Sequence, residues 1–118
     1  MYDIYLHPHI KSQDLDRLPL SLIEDFTRIY QPDLEKTPYP ESSSIRKHLL
    51  PNNPLNGYYS IDIKWEEEFE GDFFTVNYRI VYGIDDVNKR VYIISFAEHD
   101  LAYDSAKQRT KGGKFYKG

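Results

Sequence analysis

The sequence predicts an α+β fold: a small antiparallel sheet with two N-terminal helices packed on one face and a short C-terminal helix. Three observations predict it. Apolar residues recur at every second position through 59–65, 74–82 and 92–96, the two-residue period of strands. An apolar stripe at helical spacing, Leu22, Ile23, Phe26, Ile29 and Tyr30, precedes them. Glycine, proline, asparagine and aspartate punctuate the runs. At 118 residues, 40% of them hydrophobic and 29% charged, the chain suits one modest core.

Tyr2, Ile4 and Leu6 alternate with Asp3, Tyr5 and His7 and predict a first strand. Pro8 ends it, because proline cannot donate to a ladder. Ser12 is the expected N-cap of a short helix over 14–18, with Leu15 and Leu18 on one side. Pro19 suits the first turn of a second helix, which carries the apolar stripe and sets Glu24, Asp25 and Arg28 opposite. Pro32 is expected to stop that helix, and 31–44 to form a loop. Residues 45–50, with Arg46, Lys47 and His48, read as one helical turn or an extended segment. Pro51, Asn52, Asn53, Pro54, Asn56 and Gly57 supply turn chemistry.

Tyr59, Ile61, Ile63 and Trp65 then alternate with Ser60, Asp62 and Lys64. The acidic run from Glu66 to Asp72 is expected to be a solvated connection whose charges guard against edge pairing. Phe74, Val76, Tyr78, Ile80 and Tyr82 share one face of the next strand, opposite Thr75, Asn77, Arg79 and Val81. After a turn over 85–89, Tyr92, Ile94 and Phe96 share a face opposite Val91, Ile93 and Ser95. A turn centred near Val87 sets Arg79 across from Ser95. A connection centred near Phe69 or Glu70 sets Arg79 across from Ser60 or Asp62, with Cβ atoms about 5 Å apart. Ser60, Asp62, Lys64, Asn77, Arg79 and Ser95 are thereby expected to form one polar patch, with the helices covering the apolar face. Asp100 is the expected cap of a last helix over 101–111, closed by Gly112 and Gly113. One domain, 1–111, is expected, followed by a frayed basic tail, 112–118.

The chain has no cysteine, which removes disulfides, thiolate metal sites and cysteine nucleophiles. No run approaches the roughly 20 apolar residues of a membrane span. Residues 1–11 alternate and lack a signal peptide's layout, so a cytoplasmic protein is expected. The formal charge of −4 argues against bulk non-specific nucleic-acid binding, although 107–117 holds five of the fifteen basic residues and no acid. His7 and His9 flank a proline without the clustered carboxylates a zinc site needs, and the acidic run lacks calcium-loop spacing. No metal or cofactor is expected. The polar patch is the candidate site: Arg79 with the Asp62 carboxylate, and His99 and Tyr103 just past the strand end. Phosphodiester cleavage uses those groups, a fork of donors on the phosphate and side chains that move protons. In RNA the 2′-hydroxyl supplies the nucleophile.

Three segments carry a family resemblance: DLDRLPLSLIEDF at 14–26, NYRIVYGIDDVNKRVYIISF at 77–96 and EHDLAYDSAKQR at 98–109. Together with the order strand, two helices, three-stranded meander and short helix, they resemble the RelE/ParE toxin superfamily. The resemblance implies a ribosome-dependent endoribonuclease that cleaves mRNA and is neutralised by a cognate antitoxin protein. It implies that Arg79 holds the scissile phosphate, that Tyr103 and His99 take part in proton transfer, with Asp62 a further candidate, and that Lys64, Lys107 and Arg109 contact RNA backbone. The chain departs from RelE at Ser60 and Asp62, where RelE carries lysines. The alternative implied by the same superfamily is a ParE-like toxin that binds a protein such as DNA gyrase, or an inactive homologue that retains antitoxin binding.

Overall fold

Alternation in the meander becomes the three longest strands of a six-stranded sheet, in the order β2-β3-β4-β5-β1-β6. The structure is a computed structural model that describes residues 1–40, 45–51 and 55–110, with the backbone of 116 and 117. The strands are β1 (Asp3–Leu6), β2 (Lys47–Leu50), β3 (Tyr58–Phe69), β4 (Asp72–Asp85), β5 (Arg90–Glu98) and β6 (Tyr116–Lys117). The expected α+β class holds. Pairing is antiparallel except where β1 lies parallel to β5, with Ile4 opposite Val91 and Leu6 opposite Ile93. Of the expected frayed tail, only the backbone of β6 lies within the described residues, and it pairs with β1.

The helices cover the face that carries Ile61, Ile63, Tyr78, Ile80, Tyr82, Val91, Ile93 and Phe96. α1 (Leu20–Asp25) begins after Pro19, whose carbonyl accepts from the Leu22 and Ile23 amides. Its path corrects the expected stop at Pro32. A π-type turn over Phe26–Tyr30 leads straight into α2 (Gln31–Lys36), with Pro32 in the first turn of α2. The wider turn relaxes the demand for one hydrogen bond per residue just where proline has no N–H to give. It also rotates the apolar face. Ile29 of the predicted stripe is 48% exposed, whereas Leu34 is fully buried beside Leu22 and Phe26. Phe26 meets Phe96 with ring centroids 5.5 Å apart, and Tyr82 donates its hydroxyl to the Pro38 carbonyl at 2.6 Å.

The short helix expected over 14–18 starts earlier and is irregular, a π-turn over Ile10–Asp14 followed by a 3-10 turn over Leu15–Arg17. Ser12 does not cap it; its hydroxyl reaches back to the Pro8 carbonyl at 3.4 Å. The acidic run is strand, not connection. Only Glu70 and Gly71 form the turn, both at positive φ (51° and 85°), the geometry of a two-residue hairpin. The β3–β4 ribbon therefore projects past the core, exposing Phe69 and Phe73 together with Glu66, Glu68, Glu70 and Asp72.

The second face corrects the picture of a broad open patch. α3 (His99–Arg109) packs there, with Ala102 and Ala106 against Val81, Ile94 and Ala97. Alanines let the helix backbone approach the sheet closely. The helix starts at His99, so Asp100 lies in its first turn, where it complements the dipole, and is not the cap. A bulge makes this packing possible. Tyr82 pairs with Ile93 but Val81 pairs with Ser95, so Ile94 is the extra residue and Arg79 faces Ala97 rather than Ser95. The same bulge breaks the alternation: Val91, Ile93 and Phe96 join the helix-covered core, while Ile94 and Ala97 face α3. Further along β4, Gly83 gives its place to the Tyr58 ring, since a Cβ there would stand 2.9 Å from the Tyr58 Cε1. Gly83→Ala is expected to lower stability by about 1 kcal/mol, at the low end for overpacking because the ring can swing; urea denaturation measures it.

Candidate functional site

Strand register sets the first pair of site residues side by side. Asp62 on β3 lies directly opposite Arg79 on β4, one of the two registers expected. Arg79 Nε donates to Asp62 Oδ1 at 2.5 Å. The guanidinium carbon sits 4.2 Å from the centroid of the Tyr103 ring on α3, so the aromatic face covers one side of the cation. His99 lies edge-on to the same ring at 5.3 Å, and its Nδ1 is 3.1 Å from Asp100 Oδ1. The four residues singled out for chemistry, Asp62, Arg79, His99 and Tyr103, thus form one connected cluster. α3 brings the last two in: a helix that starts at the end of β5 sets residues four apart on one side.

Arg79 is only 6% exposed, and its Nη1 has no hydrogen-bond partner among the described residues. A buried donor without an acceptor costs about 1–3 kcal/mol, more for a charged group. Beside the cluster lies a cavity of about 390 Å³ lined by Thr75, Asn77, Glu98, His99, Asp100 and Leu101. Lys64 and Lys107 are exposed.

Arg109 is placed elsewhere than expected. It is buried, with Nη1 and Nη2 each 2.8 Å from an oxygen of Asp14 and Nη1 also 3.0 Å from the Ile94 carbonyl. Asp14 accepts from the Phe96 amide at 2.9 Å as well. This bidentate pair clamps the C-terminal end of α3 to the sheet and to the segment after β1, and so holds His99 and Tyr103 in position. Ser60 and Ser95, expected in the patch, are fully buried, Ser95 Oγ donating to the Ala102 carbonyl at 2.7 Å.

Sequence reasoning assigned no role to His48. Its Nε2 stands 3.9 Å from Asp62 Oδ2, on the side away from Arg79. The available signal was the segment's ambiguity: as an extended strand, 47–50 sends Lys47 and His48 to opposite faces.

A second cavity, of about 410 Å³, is lined by His7, Pro8, His9, Gln13, Ser105, Gln108 and Arg109. Burial, reinforced by the Arg109 charge, pushes His7 below the usual histidine value. A histidine with a depressed folded-state pKa takes up its proton more readily when unfolded. Stability is therefore full above the unfolded value and falls as pH drops through about 6.5 toward the lower folded value. His7→Gln is expected to flatten that part of the stability curve, read from urea midpoints between pH 5 and 7.5.

Among the described residues no helix is long and apolar enough to cross a membrane, and no group of three or more His, Cys, Asp or Glu is placed to hold a metal ion. No protein-family model, no curated protein and no solved structure matches the chain.

Proposed function

We propose that the chain is a RelE-like toxin of a type II toxin–antitoxin pair, an endoribonuclease that cleaves mRNA on the ribosome and is restrained by its cognate antitoxin. One observation carries the reading: Arg79, fixed by Asp62 on one nitrogen and by Tyr103 on its face, has a buried Nη1 without a hydrogen-bond partner among the described residues, a donor that a shift of the guanidinium presents to an acceptor from outside. A phosphate oxygen is the acceptor that a guanidinium fork fits best. Arg79, once turned toward the bound phosphate, stabilises the charge that builds on its oxygens. Asp62 holds it in place. His99, oriented by Asp100 and packed on Tyr103, protonates the departing 5′-oxygen. Lys64 and Lys107 steady the RNA backbone by charge.

The test is expression from a tightly repressed promoter, followed by primer extension on cellular mRNA. Growth arrest with new RNA ends inside translated regions is the expected result. Growth arrest without new ends would overturn the nuclease reading. The acidic β3–β4 ribbon with exposed Phe69 and Phe73 favours a second reading, a toxin that binds a protein target such as DNA gyrase. Acidic strands repel RNA but seat a basic protein surface. Inhibition of supercoiling by the purified protein is the outcome that reading requires.

A further inference from the structure

We infer that His48 is a positioning residue for Arg79 that acts through Asp62: when it carries a second proton it draws the carboxylate away and lets the guanidinium turn toward a phosphate. The inference deepens the proposed reading of the Arg79 site and rests on it for the ligand that Arg79 takes. It begins with the edge strand. Lys47 of β2 turns to the helix-covered face, where its Nζ meets Asp33 Oδ2 at 2.6 Å and its side chain is buried. The two-residue period of a strand then sends His48 to the other face, the face of Ser60, Asp62 and Arg79. In the register, His48 lies directly across from Ser60 and diagonal to Asp62.

The Asp62 carboxylate stands between His48 and Arg79. Its Oδ1 accepts from Arg79 Nε at 2.5 Å, and its Oδ2 is 3.9 Å from His48 Nε2. The short bond holds the guanidinium by the nitrogen nearest its stem, while Nη1 is buried without a partner among the described residues. Arg79 therefore reaches an outside phosphate only by turning, and the bond to Asp62 opposes the turn. A movement of the carboxylate toward His48 by about 1 Å brings Oδ2 into hydrogen-bond range and takes Oδ1 to the edge of its range with Nε. The Asp62 side chain is 44% exposed, so solvent gives it room to move.

As the edge strand, β2 pairs with β3 alone. Among the described residues, the charged groups beside His48 on this face are Asp62 from β3, Arg79 beyond it on β4, and Arg46 two residues back along the chain; Lys64 lies one period further along β3. Carboxylates, lysines and arginines ordinarily keep their charges between about pH 5 and 8, whereas histidine ordinarily changes its charge there. His48 is thus the variable member of the set. Its side chain is 38% exposed, so water screens the attraction to Asp62, which acts on the scale of up to about fivefold in an equilibrium constant. A second proton on His48 loosens Asp62 from Arg79 and does not strip it away. A few-fold rise in the fraction of Arg79 able to turn appears as an equal rise in apparent affinity for the phosphate.

The test reads the Arg79 Nε–H by nitrogen-15 NMR, as its rate of exchange with water. The proteins are wild type, His48→Gln, His48→Lys, Asp62→Asn and the double variant Asp62→Asn with His48→Lys. They are compared at equal pH, because exchange is itself base-catalysed. The Arg109 guanidinium, clamped to Asp14, reports whether each variant keeps its fold. At pH 7.5 His48→Lys is expected to exchange up to about fivefold faster than His48→Gln, with wild type near the Gln variant. At pH 5.5 wild type is expected to move toward the Lys variant. Half-saturation by mRNA on programmed ribosomes is expected to be tighter for His48→Lys than for His48→Gln by a similar factor. With Asp62→Asn in place, the Lys substitution is expected to change neither reading. Equal exchange by the Lys and Gln variants would overturn the inference. So would a Lys effect that persists with Asp62→Asn, since residue 48 would then act without the carboxylate. Absence of cleavage by the wild-type protein would overturn the nuclease reading and leave the exchange rates to decide whether His48 governs Arg79.

Discussion

Replacement of Arg79 by Ala is expected to lower RNA cleavage by at least about a hundredfold, the scale on which removal of one preorganised charge-stabilising donor acts. The same change is expected to leave thermal stability nearly unaltered. Arg79 contributes an ion pair to the half-exposed Asp62, but its buried Nη1 is unpartnered among the described residues, and truncation removes both. Arg79→Lys keeps the charge but loses the fork and the flat face that lies on the Tyr103 ring. It is expected to fall between wild type and Ala. Cleavage rate and melting temperature measured on the same preparations check the pair of statements. A residue that held the fold together would lower both; a residue reserved for a ligand lowers only the first.

The reverse pattern is expected at Asp14. Asp14 is 1% exposed and accepts from both terminal nitrogens of Arg109 and from the Phe96 amide. Asp14→Ala strands the buried guanidinium, which costs about 3–5 kcal/mol for a broken buried pair. A melting temperature lower by roughly 12–20 °C follows for a domain of this size. Arg109→Ala strands the Asp14 carboxylate and is expected to act similarly. Replacing both with apolar residues of matching volume, Asp14→Leu with Arg109→Met, is expected to recover much of the loss, because no lone charge remains buried. Calorimetry on the two single variants and the double variant measures the coupling. Because the pair fixes the far end of α3, the single variants also loosen the helix that carries His99 and Tyr103, and cleavage falls as a consequence of stability.

Much of the fold was legible because the meander obeys one rule over long runs. Residues 59–65 and 74–80 alternate without a break, so the strand pair followed from counting, and the meeting of Asp62 with Arg79 was one of the two registers it allowed. Where a local irregularity resets the count, the reading failed. Ile94 shifts β5 by one residue, and nothing in VYIIS marks which isoleucine is the extra one. The π-turn over Phe26–Tyr30 absorbs the effect of Pro32, so a residue that ordinarily ends helices sits inside one. Charge misled at Arg109, which was expected on RNA backbone yet is buried against Asp14; Lys47, which was given no role, is likewise buried against a carboxylate distant in sequence, Asp33. A long-range partner leaves no local pattern. The site shows the same division: Arg79 and Asp62 belong to strongly periodic strands and His99 and Tyr103 to the segment that directly follows them, whereas His48 lies on a four-residue edge strand whose direction depends on pairing with β3. The expected polar patch was correct in its membership at Asp62, Lys64, Asn77 and Arg79. It was too wide, because small residues on α3 had not been recognised as a sign that a helix covers that face.

The central claim is that the Arg79 cluster cleaves a phosphodiester by attack of the neighbouring 2′-hydroxyl. Its most direct test is the chemistry of the RNA ends produced on programmed ribosomes by wild-type protein and by Arg79→Ala, resolved by mass spectrometry. The account predicts 2′,3′-cyclic phosphate and 5′-hydroxyl ends with wild type and none above background with Arg79→Ala. Ends bearing a 5′-phosphate, or equal cleavage by the two proteins, would contradict it.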